Sequence, residues 1–165
     1  MFYKQDIFMT VNVSPLNLEN IEYFYFLKKI VKKIPHFAQV VRLEITETAI
    51  INNLRNLLRI KKLGFKIIMD DFGKDMANLG LFYQLASKKI IQKVKIDKDF
   101  FQSIIKDHLS GKFFLVKLIQ MLNVAGVEVL IEGIENEIQY QILQNLNLPL
   151  KGQGYHLGRP EVIEV

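Results

Sequence analysis

The sequence predicts an α/β fold of repeated β/α units around a parallel sheet, and three observations predict it. Short β-branched apolar runs alternate with longer helical patterns, which is the signature of such units. The alternation is read six times along 165 residues. Oxygen-bearing side chains gather at the C-terminal end of one strand after another, as they do around the mouth of a barrel.

Taken in order, the first strand is expected from Ile7 to Val13 and the first helix from Leu18 to Lys33. Pro15 and Pro35 fall in the connections on either side, where a missing N–H costs nothing. The second strand, Val40 to Thr46, leads to a helix from Asn53 to Lys62 that Gly64 terminates. Lys66 to Asp70 is the third strand, followed by a helix from Met76 to Ala86. The fourth strand, Lys93 to Asp97, precedes a helix from Lys112 to Ala125, with Gly126 beyond its end. Glu128 to Glu132 makes the fifth strand and Glu137 to Leu146 the last helix. A weaker sixth strand is expected from Gly152 to His156.

Composition narrows the chemistry. Half of the residues are hydrophobic and 24% are charged, as in a globular domain with a sizeable core. With no cysteine, the chain has no disulfide, no thiolate zinc site and no cysteine nucleophile, which fits a reducing cytoplasm. No apolar run reaches the roughly 18 residues of a membrane span, and the start, MFYKQDIF, does not read as a signal peptide. A net charge of +5 invites an anionic partner, yet Lys28, Lys29, Lys32 and Lys33 fit a solvated helical face. Zinc-finger spacing, RNP-like strands and long basic tails are lacking, so no nucleic acid polymer is expected. His36 and His108 read as exposed, His156 as a rim or structural residue, and Gly152 and Gly154 make no dinucleotide fingerprint.

The strand ends carry the functional information. Asn12 ends the first strand, Glu44 and Glu47 the second, Asp70 and Asp71 the third, Asp97 the fourth, and Glu132 and Glu135 the fifth. Any one of these could be a helix cap or turn residue. Five successive strands bring them to a single mouth. Asp70 and Asp71 repel each other unless protons or cations neutralise them. A set of Asn, Asp and Glu without cysteine favours Mg²⁺ or Mn²⁺. Two such ions roughly 3.5 to 4 Å apart can drive phosphodiester hydrolysis. Lys95 is a cation within an apolar strand, suited both to pairing with these carboxylates and to orienting a water or a phosphate oxygen.

These residues lie in strings that resemble a known family. VNVSP, LEITET, IIMDDFG, VKIDKDFF, LIEGIENEIQ and KGQGYHLGRP, spread from Val11 to Pro160, occur in the order seen in EAL domains, the bacterial cyclic di-GMP phosphodiesterases. The resemblance implies a (β/α)8 TIM-barrel-like fold, incomplete here, with about six of its eight β/α units present. Residues 1–165 are then one EAL-like domain, truncated at its N-terminus, beginning after the segment that would carry the name-giving Glu-Ala-Leu motif.

The resemblance also implies roles. Asn12, Glu44 and Asp70 would bind one metal ion, and Asp70 would bridge to a second that Asp71 also binds. Lys95 would hold the attacking water, Glu132 and Gln153 would complete the metal and water network, and Glu132 or Asp71 would accept the proton. Glu135 would brace the loop after the Asp-Asp pair. The implied reaction is two-metal hydrolysis of cyclic di-GMP to pGpG, with Mg²⁺ or Mn²⁺, in bacterial signal transduction in the cytoplasm. Residues that contact the substrate base and sugar are not assigned. A homodimer, or an upstream sensory or cyclase domain, would be the partner.

Two departures shape the expectation for this chain. The missing motif would carry a further metal ligand, so hydrolysis by the chain alone is expected to be weak or absent. The loop after Asp71 carries Lys74, Asp75 and Met76 where the family has a small, flexible segment. The alternative is therefore a degenerate, non-catalytic module that binds cyclic di-GMP or a protein partner. A different metal-dependent barrel hydrolase would share the strand-end carboxylates but would not explain the six ordered strings.

Overall fold

The computed structural model describes residues 8–74, 79–107 and 109–161. Its order is β1 (Met9–Asn12), α1 (Pro15–Glu19), α2 (Ile21–Lys33), α3 (Phe37–Val40), β2 (Val41–Thr46), α4 (Glu47–Asn52), α5 (Leu54–Lys61) and β3 (Lys66–Phe72). Then come α6 (Leu79–Ser87), β4 (Ile91–Ile96), α7 (Lys98–Lys106), α8 (Ser110–Val124), β5 (Glu128–Ile131), α9 (Glu137–Gln144) and β6 (Lys151–Gly152). The strands form one sheet in the order β1-β2-β3-β4-β5-β6, every neighbouring pair parallel. It curls as a half-barrel with helices on its outer side.

Residues in register across parallel strands share a face. Val41, Leu43 and Ile45 of β2, Ile67 and Met69 of β3, Val94 and Ile96 of β4, and Val129 and Ile131 of β5 therefore turn together toward the helices, and all join the buried core. The opposite, inner face carries the polar side chains, Thr10 and Asn12, Arg42 and Glu44, Lys66 and Asp70, Lys93 and Lys95, and Glu128, with Ile68 and Leu130 among them. This alternation is the reason so many charges can sit in strands that are otherwise apolar.

Several expected boundaries shift for local reasons. The long first helix is two, because Asn20 adopts an extended conformation and caps α2 by accepting a hydrogen bond from the Glu22 amide at 2.9 Å. Thr46 and Asp97 start α4 and α7, two helices not anticipated, through side-chain caps of the same kind. The sixth strand is only Lys151–Gly152, and His156 lies in the turn that follows. Ile7 and residues 76–78, parts of an expected strand and helix, lie outside the described residues, as does His108. Gly64 and Gly126 have the positive φ expected after α5 and α8. Among the described residues no helix is long and apolar enough to cross a membrane.

Candidate active site

Lys95 organises the C-terminal end of the sheet. It projects from β4 onto the inner face and is only 9% exposed. Its Nζ lies 2.9 Å from Glu132 Oε1, 3.0 Å from Asp70 Oδ1 and 3.3 Å from Glu44 Oε2. Side chains from β2, β3, β4 and the residue after β5 thus meet at one point, as the alternation of faces requires. Burial alone would pull the lysine's pKa down. The hydrogen bonds it donates to Glu132 and Asp70, with the charges of those carboxylates, outweigh burial and hold the ammonium well above its ordinary range. Glu132 is pushed up as well, which for a carboxyl favours the neutral form. Burial raises its carboxyl, Lys95 opposes that, and Asp70 and Glu44 add to it.

The Asp70-Asp71 pair is shaped by an irregularity in β3. Met69 pairs with Val94 and Phe72 with Ile96, so β3 spends one residue more than β4 over this interval. Such a bulge lets the ladder resume with Phe72 back on the core side. Asp71 takes the extra turn with φ 55°, a left-handed conformation that aspartate tolerates better than most residues. Its amide donates to Asp70 Oδ1 at 3.0 Å, and its carboxylate faces Lys74 at 4.0 Å.

The remaining predicted residues fall at differing distances from this centre. Asn12 ends β1 in register with Glu44, on the same face and exposed. Gln153 is exposed just past β6, fixed by its backbone, whose N–H donates to Ile131 at 2.9 Å and whose carbonyl accepts from Ile134 at 3.1 Å. Glu135 pairs with Lys98 at 2.5 Å and accepts from Gln102 at 3.2 Å, while its amide donates to Gln139 at 2.7 Å. Its carboxylate is therefore held by α7. The loop beyond Lys74 lies outside the described residues. Asp97 does not join the mouth: its carboxylate accepts from the Asp99 and Phe100 amides at 2.9 and 3.0 Å, the helix-cap reading of a strand-end acid. Glu47 is buried at the start of α4, and His156 pairs with Glu137 at 3.0 Å.

Sequence reasoning missed α7 as a support. Gly73 and Gly133, both at positive φ, have no room for a Cβ because Phe100 and Lys98 of α7 press against them. The first turn of α7 thus lies against the loops that follow β3 and β5. The string KIDKDFF contained both contacting residues, but without a helix there was no reason to aim them at those loops.

A curled parallel sheet with acids and one lysine gathered at its strand ends is an α/β architecture of the TIM-barrel type, with polar side chains at the face where such folds place their sites. The chain belongs to the EAL domain family, whose description matches residues 3–160. It is 32% identical over 164 residues to the cyclic di-GMP phosphodiesterase PdeB of Shewanella oneidensis, covering 95% of this chain and 18% of that protein. It is 28% identical over 159 residues to the cyclic di-GMP phosphodiesterase PdeA of Borreliella burgdorferi, covering 93% of this chain and 23% of that protein. An EAL enzyme solved with cAMP and cyclic di-GMP bound superposes with a TM-score of 0.74 at 27% identity, over 93% of this chain and 40% of that one. The chain spans about a fifth of the length of these two curated relatives. EAL domains are metal-dependent.

The donor set suits a hard divalent cation. Three carboxylates surround one ammonium, leaving unneutralised negative charge, and Asp71 and Asn12 add further oxygen donors. Among the described residues no three acids or histidines form a ready-made metal cluster. Their oxygens turn instead to Lys95.

Proposed function

We propose that this chain carries the catalytic face of a cyclic di-GMP phosphodiesterase. The observation that carries the proposal is Lys95 ringed by Glu44, Asp70 and Glu132 at the strand ends. Asn12, Glu44, Asp70 and Asp71 would hold Mg²⁺ or Mn²⁺, which when bound supplies charge neutralisation for the phosphodiester and activation of water. Lys95, fully protonated and fixed by three carboxylates, orients the attacking water for in-line approach to phosphorus. The water's oxygen bonds to phosphorus, the bond to the ribose 3′ oxygen breaks, and cyclic di-GMP opens to pGpG. Glu132 and Asp71 are the two acceptors within the set for the water's proton. Gln153 positions the water network from the rim, and Glu135 fixes the adjoining loop through Lys98 and Gln102.

Lys74 favours a second reading, a module that binds cyclic di-GMP or a protein partner without turnover. Its ammonium lies 4.0 Å from Asp71, where it competes electrostatically with a cation.

Isothermal titration with cyclic di-GMP in Mg²⁺ and in Mn²⁺, with pGpG assayed in the same samples, tests both. Turnover that vanishes in Lys95→Ala and Asp70→Ala supports the catalytic reading. Metal-dependent binding without pGpG selects the second. Folded protein that neither binds nor hydrolyses the dinucleotide overturns the catalytic reading and reduces the second to a protein-binding module.

A further inference from the structure

The inner face of the sheet carries a second charged group, two to four residues earlier in the same strands. Arg42 precedes Glu44 in β2, Lys93 precedes Lys95 in β4, and Glu128 opens β5. With Lys66, Ile68 and Gln92 they line a cavity of about 230 Å³. That leaves room for a tetrahedral oxyanion and attendant waters, each water taking about 30 Å³.

The charges here do not balance. Glu128 Oε2 receives Lys151 at 3.0 Å and Lys93 at 3.4 Å, so one carboxylate serves two ammoniums. Among the described residues no carboxylate lies within ion-pair distance of Arg42 or Lys66. Arg42 Nε is buried without a hydrogen-bond partner, which is costly for a charged donor. The guanidinium carbon lies over the Phe8 ring, 3.3 Å from the centroid. A ring beneath a guanidinium attracts its charge but does not satisfy its N–H donors, which an oxyanion can accept in a fork. Lys93, only 5% exposed, is also turned toward that ring, at 5.4 Å. Burial lowers its pKa foremost, Glu128 resists, and Lys151 and Arg42 lower it further. An anion in the cavity would relieve that strain.

The geometry points to an oxyanion site in this cavity, built on Arg42 and Lys93 with Lys66 at its edge, that takes a phosphate or pyrophosphate group. It lies nearer the N-terminal ends of the strands than the Lys95 cluster and depends on none of that cluster's residues. It therefore stands whether or not the chain hydrolyses cyclic di-GMP.

Inorganic phosphate and pyrophosphate, titrated calorimetrically into the chain in EDTA with ionic strength held by chloride, test this site. Saturable binding is expected, tighter for pyrophosphate, and Arg42→Gln should weaken it by about tenfold or more, the equivalent of one lost charge-assisted hydrogen bond. Lys93→Met should do the same. If that variant does not fold, Lys66→Gln, at an exposed position, should still weaken binding several-fold. Lys29→Gln, which removes an exposed charge outside the cavity lining, should bind as the parent does. Absence of saturable heat in protein shown folded by circular dichroism overturns the site. So does binding that is unchanged in Arg42→Gln, or that is lost in Lys29→Gln.

Discussion

The two ends of the inner face use the same residue types to opposite effect. Near the strand C-termini one ammonium, Lys95, is shared by three carboxylates. Near the N-termini one carboxylate, Glu128, is shared by two ammoniums while Arg42 lies over an aromatic ring. One end has negative charge to spare and the other positive, along strands that rise only about 3.3 Å per residue. A parallel sheet achieves this because alternate positions of each strand face inward, so a change two residues along is enough to reverse the local sign. Net charge, which sums the two ends, hides the arrangement.

The sharpest contrast is between the two lysines. Lys95→Met should cost about 3 kcal/mol or more, because it leaves three converging carboxylates without their shared partner. Lys93→Met should stay within about 1 kcal/mol of the parent, since Glu128 keeps Lys151 and an apolar side chain fits the buried stem. Urea denaturation of both variants checks the pair, and equal losses would erase the distinction between the two ends.

Asp97→Ala should cost about 1 kcal/mol by uncapping α7. If Asp97 served only the cap, cyclic di-GMP affinity would fall no further than the loss of α7 support explains. A drop as large as that of Asp70→Ala would return Asp97 to the mouth.

The smallest effect belongs to Glu128. Burial pushes its carboxyl up, but Lys151 and Lys93 outweigh burial and leave it below its ordinary range. A depressed pKa contributes stability above the unfolded carboxyl's value of about 4.3, lost as pH falls through the lower folded value. With the side chain half exposed, solvent screening limits this to about 0.5 kcal/mol. Glu128→Gln should therefore flatten the stability profile below about pH 4.5, measured by urea titration across pH.

The β/α order and the strand-end acids were legible in sequence because β-branched runs and helix-ending glycines are local signals. The convergence of Glu44, Asp70 and Glu132 on Lys95 follows from that order plus strand alternation. What stayed hidden depended on backbone detail. Asp97 read like its neighbours until the first turn of α7 claimed its carboxylate. α4 and α7 escaped notice because they follow their strands at once, α4 with no residue between and α7 with only its cap Asp97, so no loop separates the patterns. Arg42 and Lys93 drew no interest because each was weighed alone, whereas their meaning comes from being neighbours across the sheet.

The extra residue in β3 has a consequence for inheritance. Asp70 and Asp71 span an interval that β4 crosses one residue sooner, and the bulge absorbs the extra residue so that Phe72 keeps its place in the core. Deleting one aspartate would remove this bulge and leave Phe72 two positions after Met69, still on the core side opposite Ile96, but with one carboxylate at the strand end in place of two. Substitution at Asp71 is constrained by its left-handed backbone, which asparagine or glycine accepts and valine or isoleucine does not. Over generations this segment can lose its extra residue without disturbing the core, so its length is kept by the paired carboxylates and not by packing.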